Sequence, residues 1–162
     1  PSWNMKYSFA PLIDDNSITL ILGSLPGERS LETGRYYAHP QNYFWKILYE
    51  VYREPMPGSF DMRYEFILRH NLALWDSVKC ARRVGSLDGN IRDEEPNDIP
   101  ALTAMHPKLS LIVFNGAAAF AKYKKHFGEP NLPYRRLLST SPACAGRNAE
   151  RFRMWREALL RE

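Results

Sequence analysis

Four short segments, three of them nearly continuous apolar runs and the fourth a short RRLLS, restrict most strongly the folds open to this sequence. They are residues 17–24, Asn71–Val78, Leu109–Asn115 and 135–139. Nearly continuous apolar runs of this length are typical of strands buried on both faces of a parallel sheet. Because helical segments separate the runs, the sequence predicts an α/β protein, a three-layer α/β/α sandwich around a mainly parallel four-stranded sheet.

The segments between and after these runs predict helices. Phe44, Ile47, Leu48 and Val51 repeat at helical spacing, which predicts an amphipathic helix over roughly 42–53. Further helices are expected from Ser59 onward, from the caps Asn97 and Asp98 to Met105, from Gly116 to Phe127, and over 147–161 with Phe152, Trp155 and Leu159 buried. Residues 25–40 are expected to form a loop, and 81–96 are too irregular and charged to assign. The 162 residues suit one domain spanning 1–162.

The composition indicates a folded protein without a membrane segment. Apolar residues make up 44% of the chain and aromatic residues 13%, which is enough for a packed core and too much for a disordered chain. No stretch approaches the roughly 20 apolar residues that a membrane span needs. The start, Pro1–Pro11, lacks the long apolar run of a signal peptide, so we expect a cytoplasmic protein.

The cysteines and histidines argue against a metal centre. Cys80 and Cys144 are the only cysteines, too few for an all-cysteine iron–sulfur cluster, which needs about four thiolates. Two lone cysteines in such a chain are expected to stay reduced. The histidines, at positions 39, 70, 106 and 126, have neither HExxH nor HxH spacing. We therefore expect no metal ion and no cofactor.

The predicted topology places the site at one edge of the sheet. Ligands of such folds bind at the carboxyl ends of the strands, so the loops after Gly23, Val78, Asn115 and Ser139 should share one rim. The first loop, residues 23–27 (GSLPG), favours a tight turn that aims N–H groups into a cleft. It matches neither the GxxxxGK[ST] nor the GxGxxG pattern, and by itself it predicts only a turn.

The segment that follows makes the pattern specific. Gly34–Trp45 (GRYYAHPQNYFW) places aromatic residues, a histidine and an asparagine beside that turn. A strand followed by GxxPG and a tyrosine-rich segment leading into AHPxNxFW resembles the first motif of the uracil-DNA glycosylase superfamily, most of all its hypoxanthine-DNA (deoxyinosine) glycosylase branch. Leu138–Ala143 (LSTSPA) resembles the second motif, a Ser/Pro loop that presses into the minor groove. Residues 71–97 and 111–116 also resemble the hypoxanthine branch, so the resemblance covers most of residues 18–143.

The resemblance implies a uracil-DNA glycosylase-like fold and a monofunctional DNA glycosylase. Such an enzyme flips a deaminated base out of double-stranded DNA and hydrolyses its N-glycosidic bond in base excision repair. Hypoxanthine is the expected base, with uracil and xanthine as alternatives. The expected partner is double-stranded DNA containing a damaged base, and the protein is expected to be a monomer associated with the nucleoid in a prokaryote.

The resemblance also implies a catalytic residue. The mismatch-specific branch has a water-positioning Asn as the third residue of its GxxPG turn, where this chain has Leu25. The hypoxanthine branch takes its Asn from later in the motif, which corresponds to Asn42. Asn42 is therefore expected to orient the attacking water, although simple capping of the following helix is equally compatible with its position.

Residues around this amide are expected to bind the base. Tyr37 matches the family's stacking aromatic, which is worth roughly 1–3 kcal/mol per base, and otherwise would be a core aromatic. The backbone N–H groups of Ser24 and Leu25 would stabilise the departing base anion. Asp76 and Asn115, at the ends of two predicted strands, match base-reading positions, though each could instead fix a local turn or cap.

A second group is expected to contact the DNA. It comprises Ser139, Thr140, Ser141, Pro142, Ala143, Arg147 and Arg151. The Ser/Pro loop would clamp phosphates, with Ala143 or Cys144 near the gap left by the flipped nucleotide, and the two arginines would add counterion-release affinity. His39 could donate to the base, bind a phosphate, or be structural.

Three alternatives remain open. A non-catalytic DNA-binding module with the glycosylase fold is suggested by Leu25. A Cys-dependent hydrolase would use Cys144 with a histidine, and a small-nucleotide hydrolase could share the α/β architecture. The net charge of +4 favours a polyanionic partner only mildly.

Overall fold

A computed structural model describes residues 5–162 of the chain. The strands are β1 (Met5–Tyr7), β2 (Thr19–Gly23), β3 (Leu72–Asp76), β4 (Val78–Arg82), β5 (Arg92–Pro96), β6 (Leu111–Asn115) and β7 (Tyr134–Leu137). The helices are α1 (Glu28–Thr33), α2 (Phe44–Val51), α3 (Phe60–Arg69), α4 (Ile99–Met105), α5 (Ala117–Phe127) and α6 (Asn148–Leu159). Residues 1–4, part of the start that is expected to carry no signal peptide, lie outside the described residues.

The larger sheet has the strand order β3-β2-β6-β7, and every pair in it is parallel. Thr19 pairs with Leu72 on one side and with Leu111 on the other, so these three strands start level. All five residues of β2 are buried, as expected for a strand with neighbours on both sides and helices on both faces. The predicted parallel four-stranded sheet is confirmed.

Helices cover both faces of this sheet. Because side chains alternate along a strand, Ile21 of β2 packs with α2, α3 and α6, including Leu48 and Trp155. Leu20 and Leu22 point the other way and pack with α4 and α5. The two clusters give the predicted three-layer α/β/α sandwich. None of the helices within residues 5–162 is long and apolar enough to cross a membrane.

A second, antiparallel sheet of β1, β4 and β5 was not anticipated from the sequence. The predicted strand 71–78 divides at Ser77 into β3 and β4, and the unassigned segment 81–96 supplies β5. In β4 the exposed Lys79 and Arg82 interrupt three buried residues, β5 has no fully buried residue, and the pairing between the two strands shifts register. That irregular charge pattern hid the period of two by which a half-buried strand is recognised.

Some element boundaries also differ. The predicted loop 25–40 contains α1, which Gly34 ends in a left-handed conformation (φ 69°). Helix α2 starts at Phe44 rather than 42, and β7 ends at Leu137 rather than 139. Helix α3 starts at Phe60, one residue after the predicted start at Ser59, and Ser59 caps it by accepting the Met62 N–H.

Of the two predicted caps of α4, only Asp98 acts as one, accepting the Ala101 N–H. The Asn97 side chain instead donates to the carbonyl oxygens of Asp76 and Val78. Asn97 therefore links the two sheets at the point where one strand passes into the next. In α6, Trp155 and Leu159 are buried as predicted, whereas Phe152 is only half-buried.

Candidate active site

A cavity of about 180 Å³ opens at the carboxyl ends of the parallel strands. That is room for on the order of ten water molecules, or for one flat heteroaromatic group. The predicted site residues that line it are Ser24, Leu25, Tyr37, His39, Asn42, Asp76, Asn115, Ser139, Thr140, Ser141 and Pro142. The structure therefore brings the predicted strand-end loops together around one cavity. Ala143, Arg147 and Arg151 lie outside this lining.

Two buried polar groups in this lining lack partners. The Asp76 carboxyl, at the end of β3, is 3% exposed, and its Oδ2 has no hydrogen-bond partner among residues 5–162. The Tyr37 hydroxyl is buried and unpaired in the same way. Buried polar groups are nearly always hydrogen-bonded, so these two indicate a place for a polar ligand.

Burial changes the ionisation of both groups. Desolvation, and secondly the negative charge of Asp88, raise the pKa of Asp76 to about 7, against the opposing effect of Arg83. Burial also raises the pKa of Tyr37 far above its ordinary value. The cavity therefore contains a phenol and a carboxyl group that holds its proton to much higher pH than an ordinary aspartate does.

The Asp76 carboxyl and the Tyr37 hydroxyl both lie close to the end of β2, where only a glycine leaves room for them. A Cβ on Gly23 would lie 2.6 Å from Asp76 Oδ1 and 2.9 Å from the Tyr37 hydroxyl. The Tyr37 ring stacks on Phe44, with 3.9 Å between ring centroids, and its backbone is left-handed (φ 53°), which is costly for a residue with a side chain. Tyr37 is therefore held rigidly beside the carboxyl, and it belongs partly to the core and partly to the cavity.

Asn42 performs the capping role that its position allowed. Its Oδ1 accepts the Phe44 N–H at 2.9 Å just ahead of α2. An amide oxygen has two lone pairs, so the bond to Phe44 leaves one for another donor. The side chain is half-buried and lines the cavity, so the capping bond fixes its direction there.

His39 lies at the exposed part of the cavity lining. Its Nδ1 accepts the Gln41 N–H at 3.1 Å. A ring nitrogen that accepts a hydrogen bond carries no proton, so the proton of the neutral ring is on Nε2. His39 can thus offer one N–H donor at the cavity mouth.

Leu25 does not occupy the place that a water-positioning Asn would need. Its side chain is 6% exposed and packs with Val78, Ala81 and Ile91 in a small apolar cluster beside the antiparallel sheet. Its backbone borders the cavity, and the N–H groups of Ser24 and Leu25 donate to no atom of the described residues. The turn therefore offers main-chain donors only.

The connection between β4 and β5 completes this side of the site, and sequence reasoning missed it. Ser86 and Asp88 line the cavity, and the Ser24 hydroxyl donates to Asp88 Oδ1. Arg83 is 2% exposed and donates to the carbonyl oxygens of Leu25, Pro26 and Gly85. No local pattern marks such an arginine, because its acceptors are main-chain atoms, most of them distant in sequence.

Thr140 and Asn115 bind each other at the base of the Ser/Pro loop. The Asn115 Nδ2 donates to Thr140 Oγ1, and the Thr140 N–H donates to Asn115 Oδ1, both at 3.0 Å. Thr140 is completely buried, so its side chain does not contact DNA as expected from the sequence. Asn115 fixes the turn, which was the alternative to base reading. Ser139 Oγ accepts the Ser141 N–H, and Ser141 Oγ accepts the Ala143 N–H.

Arg151 also departs from its predicted role. Its guanidinium is 1% exposed and donates to the carbonyl oxygens of Ser139, Cys144 and Gly146, while stacking over Tyr43. It holds the loop from inside, and four of its five N–H groups already donate to acceptors of the protein. Arg147, in contrast, has a side chain that is mostly exposed and pairs with Glu150 at 2.8 Å.

The fold and the cavity define an α/β protein with two motif loops facing each other across the strand ends, as in DNA glycosylases of the uracil type. The model of the Uracil DNA glycosylase superfamily matches residues 10–161, and the chain belongs to that superfamily. The resemblance read from the two motifs is thereby confirmed.

Individual relatives agree with this assignment. The chain is 37% identical over 157 residues to a Methanosarcina barkeri protein named hypoxanthine DNA glycosylase, covering 96% of this chain and 99% of the relative. A Methanosarcina acetivorans protein of the same name is 43% identical over 119 residues, covering 71% and 73%. A solution NMR structure of a candidate uracil DNA glycosylase from Methanosarcina acetivorans has a TM-score of 0.80 and 32% identity, covering 96% of both chains.

Proposed function

We propose that this protein is a monofunctional DNA glycosylase that excises hypoxanthine from double-stranded DNA, as a first step of base excision repair. The observation that carries the proposal is the pair of unpartnered polar groups, the Asp76 carboxyl and the Tyr37 hydroxyl, in a strand-end cavity. A flipped base supplies the polar edge that these groups lack. Two relatives named hypoxanthine DNA glycosylase support the choice of base.

The ionisation of Asp76 suits a deaminated base. Hypoxanthine, uracil and xanthine carry a carbonyl oxygen where adenine, cytosine and guanine carry an amino group. A neutral Asp76, available near neutral pH because its pKa is raised to about 7, donates an O–H to that carbonyl oxygen. A permanently ionised carboxylate would instead favour the amino group of the undamaged base.

Bond cleavage passes through an oxocarbenium-like sugar, as glycoside hydrolysis does in general. Asn42 orients the attacking water with the lone pair that its bond to Phe44 leaves open. The unbonded N–H groups of Ser24 and Leu25 stabilise the departing base anion. The partial positive charge at the start of α2 favours negative charge in the same place.

The DNA backbone meets the Ser/Pro loop in this scheme. The hydroxyls of Ser139 and Ser141, with the backbone of Pro142 and Ala143, contact phosphates beside the flipped nucleotide. Arg147 adds a positive charge at the start of α6, from a side chain that reaches solvent. One chain supplies every group in the scheme, which supports a monomer that acts on double-stranded DNA.

The non-catalytic alternative loses its main support. It rested on Leu25, but that side chain packs in an apolar cluster, while Asn42 supplies the cavity with an amide. Cys144, the nucleophile of the hydrolase alternative, lines a neighbouring groove and not the cavity.

The test uses duplexes that carry one inosine, uracil or xanthine, incubated with the protein without added metal and then cleaved at abasic sites with alkali. We expect strand breaks at inosine, most of them lost in Asn42→Ala and retained in Cys144→Ala. Binding of the duplexes without breaks at any of the three bases would refute the enzymatic proposal.

A further inference from the structure

A base that leaves the stack opens a gap, and many proteins that deform DNA fill such a gap with an apolar side chain. The Ser/Pro loop has only small residues at its tip, Ala143 and Cys144. Neither reaches far into a duplex. A larger apolar residue would have to come from another part of the cavity rim.

The connection between β4 and β5 carries such a residue. Leu87 is 58% exposed, and its two neighbours, Ser86 and Asp88, line the cavity itself. Leu87 borders a side groove of about 850 Å³, which runs between residues 86–90 and the Ser/Pro loop. Leu87 therefore lines the same side groove as Ala143 and Cys144, and its two neighbours border the cavity.

Single exposed leucines are common on protein surfaces, so exposure alone means little. This one is held in place on both sides. Ser86 Oγ accepts the Glu28 N–H at 2.9 Å, and Asp88 accepts the Ser24 hydroxyl. The Leu87 carbonyl oxygen accepts the Asn90 N–H at 3.0 Å, which starts a short 3₁₀ turn. Contact with DNA would therefore not have to order this segment first.

The charges around Leu87 favour contact with bases over contact with phosphates. Residues 84–90 (VGSLDGN) contain no Lys or Arg, and Asp88 would be repelled by a phosphate. Two cations reach this segment from outside, but Lys6 pairs with Glu28 and donates to the Gly85 carbonyl oxygen, and Arg92 donates to the carbonyl oxygen of Gly89. The Ser/Pro loop and the end of β7 contribute Arg136 and two serines to the lining of the same groove. A DNA strand in this groove would thus turn its backbone to the Ser/Pro loop and its bases to Leu87.

We propose that Leu87 is the wedge that enters the base stack and holds open the gap left by the flipped nucleotide. The inference rests on the proposed function, since it assumes that a base is flipped into the cavity. It assigns to the β4–β5 connection a role that the motif comparison gave to the Ser/Pro loop.

The test compares Leu87→Ala with Val84→Ala. Val84 is 76% exposed in the same connection and lines neither the cavity nor the side groove, which makes it a matched control. Because a wedge offsets the cost of unstacking, we expect Leu87→Ala to slow single-turnover inosine excision from duplex DNA by about tenfold or more. The rate at which Leu87→Ala excises inosine from the same strand without its complement should change by less than about twofold. Leu87→Met, which keeps a large apolar side chain, should retain most of the duplex rate of the unaltered protein.

A second readout needs no cleavage. A 2-aminopurine next to the inosine brightens when its stacking is lost, so binding of the unaltered protein and of Val84→Ala should raise the fluorescence, and Leu87→Ala should not. Equal brightening with Leu87→Ala, or equal loss of excision from duplex and single strand, would overturn the inference. Absence of excision by the unaltered protein would refute the proposed function. The fluorescence comparison would still show whether Leu87 enters the base stack.

Discussion

The Arg151 Nε–H donates to the carbonyl oxygen of Ser139 at 2.8 Å, from a guanidinium that is almost completely buried. Arg83 does the same for the opposite motif loop, through the carbonyl oxygens of Leu25 and Pro26. Each loop that borders the cavity is therefore held from behind by a buried arginine. Five donors in a fixed plane suit this task, because they can satisfy several converging carbonyl oxygens at once.

The first prediction concerns the stability that Arg151 provides. Arg151→Ala leaves three carbonyl oxygens without their charged donor, so we expect the free energy of unfolding to fall by about 3 kcal/mol. Urea denaturation of the purified variants measures this change. Arg147→Ala, four residues earlier and mostly exposed, serves as the control and should leave the urea midpoint unchanged.

The same pair of variants separates loop support from DNA contact. Duplex binding weakens as salt rises, and the slope of the logarithm of the binding constant against the logarithm of the salt concentration should become about one unit shallower in Arg147→Ala, because one phosphate contact is lost. Arg151→Ala, measured where it is folded, should leave that slope unchanged. A lower slope with Arg151→Ala would mean that its guanidinium reaches a phosphate after all.

The second prediction tests the close approach of Gly23 to the site. In Gly23→Ala the added Cβ must displace the Asp76 carboxyl or the Tyr37 hydroxyl, which lie under 3.0 Å from its position. We expect inosine excision to fall at least about tenfold, with a loss of about 1–3 kcal/mol in the free energy of unfolding. Gly58→Ala is the control, since no atom lies within 4 Å of its Cβ. Full activity in Gly23→Ala would show that the position of these two groups does not matter.

The main sheet could be predicted because its signal is local. Three of its four strands, β2, β3 and β6, are short apolar runs, and the burial of every residue in β2 matches that pattern. The antiparallel sheet could not be predicted, because the charged residues Lys79 and Arg82 break the alternation in β4 and β5 has no fully buried residue. A pattern that mixes charges in this way is also typical of a loop.

The same distinction between local and tertiary signals applies to the residues of the site. The motif segments predicted which residues line the cavity, including Tyr37 and Asn42. The sequence could not indicate that Arg151 is buried, because its acceptors are main-chain oxygens of a loop whose course depends on tertiary packing. An arginine in a basic helix is ordinarily exposed, so the sequence favoured a phosphate contact, whereas the side chain is buried against the Ser/Pro loop.

The third prediction separates the two roles of Asn42, capping and water positioning. Serine can also cap the Phe44 N–H, but its hydroxyl is too short to keep the amide's reach into the cavity. Asn42→Ser should thus keep the free energy of unfolding within about 0.5 kcal/mol, whereas Asn42→Ala should lose about 1 kcal/mol. Both variants should lose excision by about 100-fold or more in single-turnover assays. Retained excision in Asn42→Ser would assign Asn42 to capping alone.

The fourth prediction follows from the raised pKa of Asp76. The carboxyl titrates near pH 7 in the folded protein and near 3.8 ordinarily, so the folded state keeps a proton that the unfolded chain releases between these values. The free energy of unfolding should therefore fall as pH rises from about 4 to 7, by on the order of 4 kcal/mol in total. Asp76→Asn cannot titrate, and its urea midpoint should depend less on pH in this window.

The pH dependence of the excision rate should also report the ionisation of Asp76. If the neutral carboxyl donates to the base, inosine excision by the unaltered protein should decline as pH rises past about 7, the pKa of Asp76. Asn keeps an N–H donor without a charge, so Asp76→Asn should retain activity at pH 8–9 and give a flatter profile, whereas Asp76→Leu should be slow throughout. Single-turnover rates from pH 5 to 9 on one inosine duplex measure all three. A rate that instead rises with pH in the unaltered protein would mean that the ionised carboxylate, and not the acid, acts on the base.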